Sequence, residues 1–340
     1  MKPSRGRSLR RSMPFALACV LFLLAHSGEA SVQGARGARR VRPQAPNALR
    51  LSNQFVSVDW LVTGGRFRTA DVVDRVTGKV IRVAEDVFTL VLKDGAEIRS
   101  SEMRVVDDLR SGDAPRNPRA SRLAERLRGG QAQVTLEDER GRVRATWRAV
   151  LRDGSNYVQQ EVTLEALGAD LPVSEIRLVD AVLEGARVEG TVSGSPLVAG
   201  SVFLGFEHPL SVCKAKPARA TCILPRELPL RAGTNVTYSS VLGVTRPGQL
   251  RRDFLAYLER ERAHPYRTFL HYNSWYDIGY TNKFDEADSL DRINHFGREL
   301  VRKRGVRMNS FLFDDGWDDT SSLWNFHTGF PRGFTPLKEA

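Results

Sequence analysis

From about Leu49 to about Val244 the chain is written in short runs of alternating apolar and polar residues, each closed by a glycine-containing turn. A sequence punctuated this way has few options besides antiparallel sheet. Val56, Val58, Trp60 and Val62 alternate with Ser57, Asp59 and Leu61, and Gly64-Gly65 follows. Thr77-Gly78 separates two further β-rich runs, and Phe88 to Leu92 ends at Asp94-Gly95. Val134 to Leu136 and Val143 to Leu151 lead to Asp153-Gly154, after which Val158, Val162 and Leu164 alternate again. A period of two turns one face of each strand toward a core, and Asp-Gly or Gly-Gly supplies the backbone that tight hairpins need. The reading is an antiparallel β-sandwich over residues 48–246. Arg110 to Gly130, rich in Arg and Pro with six arginines, interrupts the pattern and reads as a solvated loop with a short helix.

At Pro247 the period changes. Leu250, Phe254 and Leu258 fall on one helical face, so residues 247–265 are expected to form a connecting helix. Residues 266–340 read as strand, loop, helix, strand. Thr268 to Tyr272 is the first strand. Asp285 to Arg304 is the helix, with Leu290, Ile293, Phe296 and Leu300 on one side. Asp285, Glu286 and Asp288 at its start and Arg302, Lys303 and Arg304 at its end complement the helix dipole, and Gly305 is placed to stop it. Val306 to Phe313 is mostly apolar, as a buried parallel strand should be. Together these make one βαβ unit.

The net charge of +11 is not a nucleic-acid signature once it is located. Met1 to Arg50 hold ten of the 51 Lys and Arg and one of the 40 acids, a net of +9, leaving 41 basic against 39 acidic residues in the rest. There is no zinc-finger spacing, aromatic RNA-binding signature or basic helix. The basic start has another reading. Lys2, Arg5, Arg7, Arg10 and Arg11 precede the uncharged run Met13 to Ala25, and Gly28-Glu29-Ala30 offers a cleavage point. This is the pattern of a secretory signal peptide over residues 1–30, and the run is shorter than the roughly 20 residues a spanning anchor needs. Residues 31–47 then read as a disordered spacer. The chain is thus expected to be secreted or periplasmic, with no membrane contact after the leader is removed. Beyond Cys19 in the leader, Cys213 and Cys222 remain, and their spacing suits a small disulfide-closed hairpin in an exported protein. The alternative is two unpaired thiols.

The chemistry-bearing cluster is Asp314-Asp315-Gly316-Trp317-Asp318-Asp319, directly after the second strand of the βαβ unit. Polar groups at the C-terminal ends of parallel strands face the site in such architectures. The first strand ends comparably, at Asn273-Ser274-Trp275. Two carboxylates there can accept hydrogen bonds from sugar hydroxyls, and an indole can pack on the apolar face of a pyranose. Helix capping is an equally simple use of such an Asp, and divalent-cation binding is a third, although the alternate spacing of an EF-hand is missing.

His271-Tyr272-Asn273-Ser274-Trp275 followed by Phe311-Leu312-Phe313-Asp314-Asp315-Gly316-Trp317 resembles the opening of the catalytic barrel in the α-galactosidase clan, glycoside hydrolase families 27 and 36. A sandwich ahead of the barrel resembles family 36. The resemblance implies a multidomain β plus α/β protein, an N-terminal antiparallel β-sandwich followed by the first strands of an incomplete (β/α)8 TIM barrel. It implies an exported α-glycosidase that hydrolyses terminal α-linked galactosyl-type sugars by a retaining mechanism and needs no metal or organic cofactor. Asp314 and Asp315 would bind hydroxyls of the galactose-like ring, Trp275 would line the pocket, and Trp317 would be structural or at its edge. The nucleophile and the acid/base of the clan sit on the fourth and sixth barrel strands, so both are expected beyond Ala340 and the chain reads as truncated before them. The partner implied is a carbohydrate. A non-catalytic carbohydrate-binding protein or an inactive fragment is the alternative. Gly205-Phe206-Glu207-His208-Pro209 reads as a strand-end turn that could also approach a pocket. Trp324 and His327, in the loop after Trp317, have no role assigned by this reading.

Overall fold

A computed structural model describes residues 47–107, 109–217, 219–279 and 282–340. The signal peptide expected at 1–30, and all but the last residue of the spacer expected at 31–47, lie outside these residues. The described protein is mostly β, with large antiparallel sheets and few helices.

Every pairing within the two larger sheets is antiparallel. The larger sheet centres on Gly129–Glu137, Val143–Arg152, Tyr157–Ala166 and Asn235–Val244, which lie side by side in register. The smaller sheet runs Val212–Lys216, Arg219–Pro225, Val173–Ala181, Thr89–Leu92, Glu97–Arg99. One hydrophobic core joins them: Val58, Trp60, Trp147, Val162 and Leu164 of the first sheet pack with Leu90, Ile176 and Leu224 of the second. Alternation decides which residues enter it. In Val56–Thr63, Val56, Val58 and Trp60 are buried while Leu61 stands 43% exposed.

Cys213 and Cys222 oppose each other in the hairpin of Val212–Lys216 and Arg219–Pro225 and are joined by a disulfide. The bond closes a hairpin at the sheet's edge, the position least protected by neighbouring strands.

The Arg110 to Gly130 insertion differs from its expected form as a loop. Arg110–Ala114 pairs with Gly129–Glu137 and extends the large sheet, and Ala124–Arg126 forms a single 3-10 turn. The strand escapes an apolar-pattern reading because RSGDA contributes only Ala114 to the interior and is held through its backbone. Arg152 fastens the segment. Its Nη1 lies 3.2, 3.2 and 2.9 Å from the carbonyls of Ala114, Pro115 and Leu127. Burial holds this guanidinium below its ordinary pKa.

Helix α1 (Leu250–Glu261) covers the outer face of the large sheet. Its packing face is Leu250, Phe254 and Tyr257, set on Tyr157, Val198, Phe203 and Val241. Leu258, expected on that face, is instead 38% exposed. The difference is a rotation of the buried stripe by one residue, so that Tyr257 can both pack on Phe203 and donate its hydroxyl to Glu207 Oε1 at 2.5 Å. Glu207 also accepts from Gln159 at 2.7 Å, so this residue of the Gly205–Pro209 segment ties α1 to the sheet. In the first turn of α1, Asp253 is buried and accepts from the backbone and guanidinium of Arg246, which precedes the helix.

At the other end of α1, Glu261 accepts from the Tyr157 hydroxyl at 2.6 Å, while its second oxygen is buried without a hydrogen-bond partner among the described residues. Burial pushes the Glu261 carboxyl above the ordinary range, and the nearby Glu207 adds to this. The Tyr157 hydrogen bond and the charges of Arg122 and Arg152 oppose it. A carboxyl with a raised folded-state pKa contributes stability that is full below the unfolded value of about 4.3 and is lost as pH rises through the folded value. Glu261→Gln removes that titration. The melting temperature of the native chain should therefore fall relative to the variant as pH rises from about 4 toward 8. A difference that stays constant across paired melts would refute the assignment.

The remaining segment holds a two-stranded parallel sheet, His271–Asn273 with Ser310–Leu312, and helix α2 (Glu286–Phe296) between them in sequence. The strands are shorter than the expected Thr268 to Tyr272 and Val306 to Phe313. A ladder extends only over residues that both chains share, and beyond it the pairing passes to Asn309, whose backbone and side chain bond Leu270. Asp285 and Asp288 form a reciprocal capping box at the start of α2. The expected helix to Arg304 continues past Phe296, but as a π-helical stretch at Gly297–Arg302, and Gly305 follows with φ 63°. Phe284, Ile293, Phe330 and Leu337 form this segment's own core, with Phe311, Phe313 and Trp317 packed on it.

Candidate functional site

The two parallel strands run in register, His271 beside Ser310 and Asn273 beside Leu312, so both chains leave the sheet at the same end. Asn273 accepts the Trp275 amide at 2.9 Å and starts a 3-10 turn, Ser274–Tyr276. Ser274 is fully buried, and its Oγ accepts the Asp314 amide at 2.8 Å. One hydroxyl thus ties the end of the first strand to the start of the acidic run on the second. Asp314 caps its neighbour, accepting the Asp315 amide at 2.9 Å through Oδ1. Asp314 is half-buried and Asp315 exposed.

The glycines of this region are set by close approach. A Cβ on Gly279 would stand 3.1 Å from the carbonyls of Asp315 and Ser274. Gly316 has φ 113°, and a Cβ there would stand 2.7 Å from the Asn282 carbonyl. The turn after Trp275 and the run after Phe313 are therefore packed backbone to backbone.

The Asp314–Trp317 run continues into a loop that turns back on itself. Asp318 bridges to Phe326, and the Asp319 amide donates to the Asn325 carbonyl at 2.8 Å. Asp319 accepts from both the amide and the hydroxyl of Ser321, which lowers its pKa. His327 pins the base of the loop. Its Nδ1 accepts the Gly329 amide at 2.9 Å, which leaves the proton on Nε2, 3.0 Å from the Phe284 carbonyl and 3.2 Å from that of Gly316.

Of the four residues singled out from the sequence, Trp275, Asp314, Asp315 and Trp317 all follow the same end of the parallel pair. Trp317 packs against Phe326 at 5.1 Å and Phe334 at 5.3 Å, part of the segment's aromatic core. Two further residues went without a role from sequence, His327 and Trp324. Trp324 stacks on Trp317 with ring centroids 6.0 Å apart and an interplanar angle of 22°.

The parallel pair has no third strand among the described residues. Open grooves flank α2, one of about 790 Å³ lined by Tyr272, Tyr276, Arg292 and His295, the other of about 760 Å³ lined by Val301, Phe311, Phe334 and Leu337. Among the described residues, no group of three or more His, Cys, Asp or Glu is placed to hold a metal, and no helix is long and apolar enough to cross a membrane.

Neither a scan against family models nor a search of curated proteins finds a match to this sequence. Solved structures do match. The glycoside hydrolase family 36 α-galactosidase AgaB from Geobacillus stearothermophilus aligns with TM-score 0.50 and 12% identity over 81% of this chain and 50% of its own. A variant of AgaA from the same organism, in complex with raffinose, aligns with TM-score 0.51 and 10% identity over 86% and 54%. The α-galactosidase from Lactobacillus brevis gives 0.51 and 13% over 86% and 53%. The chain spans about half the length of these structures, and the likeness is one of fold.

Proposed function

We propose that this chain is the accessory sandwich and first barrel repeat of an exported α-glycosidase that acts on terminal α-linked galactosyl sugars. One observation carries the reading: two parallel strands deliver Asn273-Ser274-Trp275 and Asp314-Asp315 to the same end, where the Ser274 hydroxyl bonds the Asp314 amide. The fold shared with family 36 α-galactosidases supports it, and one of the similar structures holds raffinose. In this reading Asp314 and Asp315 accept hydrogen bonds from ring hydroxyls, Trp275 lines the sugar pocket and Trp317 supports the loop from behind. Charged acceptors are the right groups for this work, since a hydrogen bond to an ionised partner contributes about 1.5–3 kcal/mol.

The barrel is proposed to be completed by further β/α repeats in a longer polypeptide. Among the described residues the parallel pair has two open edges, and the grooves beside it expose apolar surface that such repeats would cover. Retention would then rest on a nucleophile and an acid/base about 5–5.5 Å apart, both contributed by those later strands. Neither role is assigned to Asp314 or Asp315. Residues 1–30 are proposed to export the protein, which suits the Cys213–Cys222 disulfide.

The test is calorimetric titration of the chain with methyl α-galactoside. Asp314→Asn and Asp315→Asn should each weaken binding by about tenfold or more. Equal affinity in both variants and the native chain would remove the site.

A further inference from the structure

The arginine-rich insertion, Arg110 to Gly130, lines one side of a cavity of about 240 Å³. The floor is the face of the large sheet turned away from the core. There Arg148 and Arg152 alternate with the core residues Trp147, Ala149 and Leu151, and Glu161 stands opposite Arg148. Arg122 and Glu125 line the cavity from the insertion, and Glu261, the last residue of α1, lines it from the helix. The space is far larger than a single water requires.

A guanidinium carries five N–H donors, and two of the three here leave most of theirs unspent. Arg152 commits only Nη1, to the carbonyls of Ala114, Pro115 and Leu127, and among the described residues no carboxylate stands within ion-pair distance of it. Arg122 Nη1 lies 3.6 Å from Glu261 Oε2, and its Nε lies 3.8 Å from Glu125 Oε1, both beyond hydrogen-bond length. Arg148, by contrast, donates to Glu161 at 3.0 Å and to Gln131 at 3.0 Å. The carboxylates do not balance the set. Glu161 is spent on Arg148, and burial biases Glu261 toward its uncharged form. Three guanidiniums then face two charged carboxylates, Glu125 and Glu161, which leaves one positive charge uncompensated. Arg152 registers this: burial, and after it the charge of Arg148, lower its pKa, while Glu261 and Glu125 oppose the fall. Charge held partly out of water is costly unless it is paired.

We propose that this cavity binds a small oxyanion, a carboxylate or a phosphate, between Arg122 and Arg152. A planar guanidinium presents paired N–H groups that match the paired oxygens of either anion. Arg122 belongs to the insertion and Arg152 to the sheet, so an anion held by both fastens the insertion to the sheet beside the end of α1. Asp314 and Asp315, being acceptors, take no part in it.

The experiment is calorimetric titration of the full chain with inorganic phosphate and, separately, with malate, in chloride buffer of constant ionic strength, with thermal melts in parallel. Arg122→Gln removes the charge from a side chain whose two ion pairs both lie beyond hydrogen-bond length, so the fold should be kept. Arg122→Lys keeps the charge and loses the fork. The expected result is saturable binding of one or both anions and a melting temperature that rises with their concentration. Affinity should be about tenfold or more lower in Arg122→Gln. Arg122→Lys should fall between, and it decides the case if the glutamine variant melts well below the native chain. Binding of phosphate alone identifies a phosphate site, and binding of malate alone a carboxylate site. If neither anion does more than chloride, or if both variants bind as tightly as the native chain, the cavity is not an oxyanion site.

Discussion

Trp147→Ala is expected to lower the free energy of unfolding by about 3–5 kcal/mol, against a total that for a domain of ordinary stability is about 5–15 kcal/mol. Trp147 is fully buried in the sandwich core. It meets Trp60 edge-on at 4.8 Å and Phe67 at 4.9 Å, and its Nε1 donates to Gln160 at 3.3 Å. The residues next to it on the same face, Ala145 and Ala149, are small, as is Ala132 opposite Ala149 on the next strand. The indole fills the space these alanines leave. These alanines are too short to reach into the gap after truncation, so the cavity should persist and add its own cost to the lost transfer energy. Trp147→Phe, which keeps most of the volume, should cost less than half as much. Urea denaturation followed by far-UV circular dichroism measures both. A loss below about 1 kcal/mol for the alanine variant would mean that the core collapses around the vacancy and that Trp147 does not organise it.

The same residues show what a linear reading can and cannot recover. Period-two alternation is a local property, and where it is strong, as in Val56–Thr63 or Val143–Arg152, the residues it turns inward are the ones buried. Helix α2 was legible for the same reason, since its charge order and the acids at its start are written within a few residues. Arg110–Ala114 was not legible, because its place in the sheet is held by backbone pairing and by Arg152, which lies far along the chain. Spacing alone puts Leu258 on the buried face of α1. The choice of Tyr257 depends on Glu207, Gln159 and Phe203, which come from distant parts of the chain.

Asp314 and Asp315 could be picked out because they follow an apolar strand, and that signal survives without any knowledge of neighbours. The contribution of Ser274 could not be separated from that of the residues beside it, since its hydroxyl bonds an amide 40 positions away. His327 and Trp324 went without a role for the same physical reason. A histidine that pins two carbonyls and a tryptophan that stands on another ring carry no periodicity. The left-handed backbone at Trp324 is a product of the closed loop and is invisible until both legs are in place.

Gly316→Ala is expected to dismantle this loop while leaving the sandwich intact. Two costs arise together. At φ 113° the backbone lies outside the regions open to an L-residue, a strain of about 1–3 kcal/mol. The added methyl would also stand 2.7 Å from the Asn282 carbonyl and 3.1 Å from the Phe284 ring. The first obstacle is backbone, so it cannot turn aside as a side chain could. The second is a core residue only 2% exposed. Relief therefore requires the Asp315–Trp317 backbone to lift away from residues 282–284. That motion draws the Gly316 carbonyl off His327 and loosens the Asp314 amide from Ser274. Hydrogen exchange reads this directly. The amides of Asp314, Asp319 and Gly329 should lose most of their protection. Those of Val143–Arg152 should exchange as in the native protein, because the core around Phe284 and Phe330 is separate from that of the sandwich. Near-ultraviolet circular dichroism should fall in parallel as Trp324 and Trp317 unstack. Unchanged protection at all three loop amides would mean that the loop yields locally around the methyl, and that Gly316 is not what holds the two strand ends together.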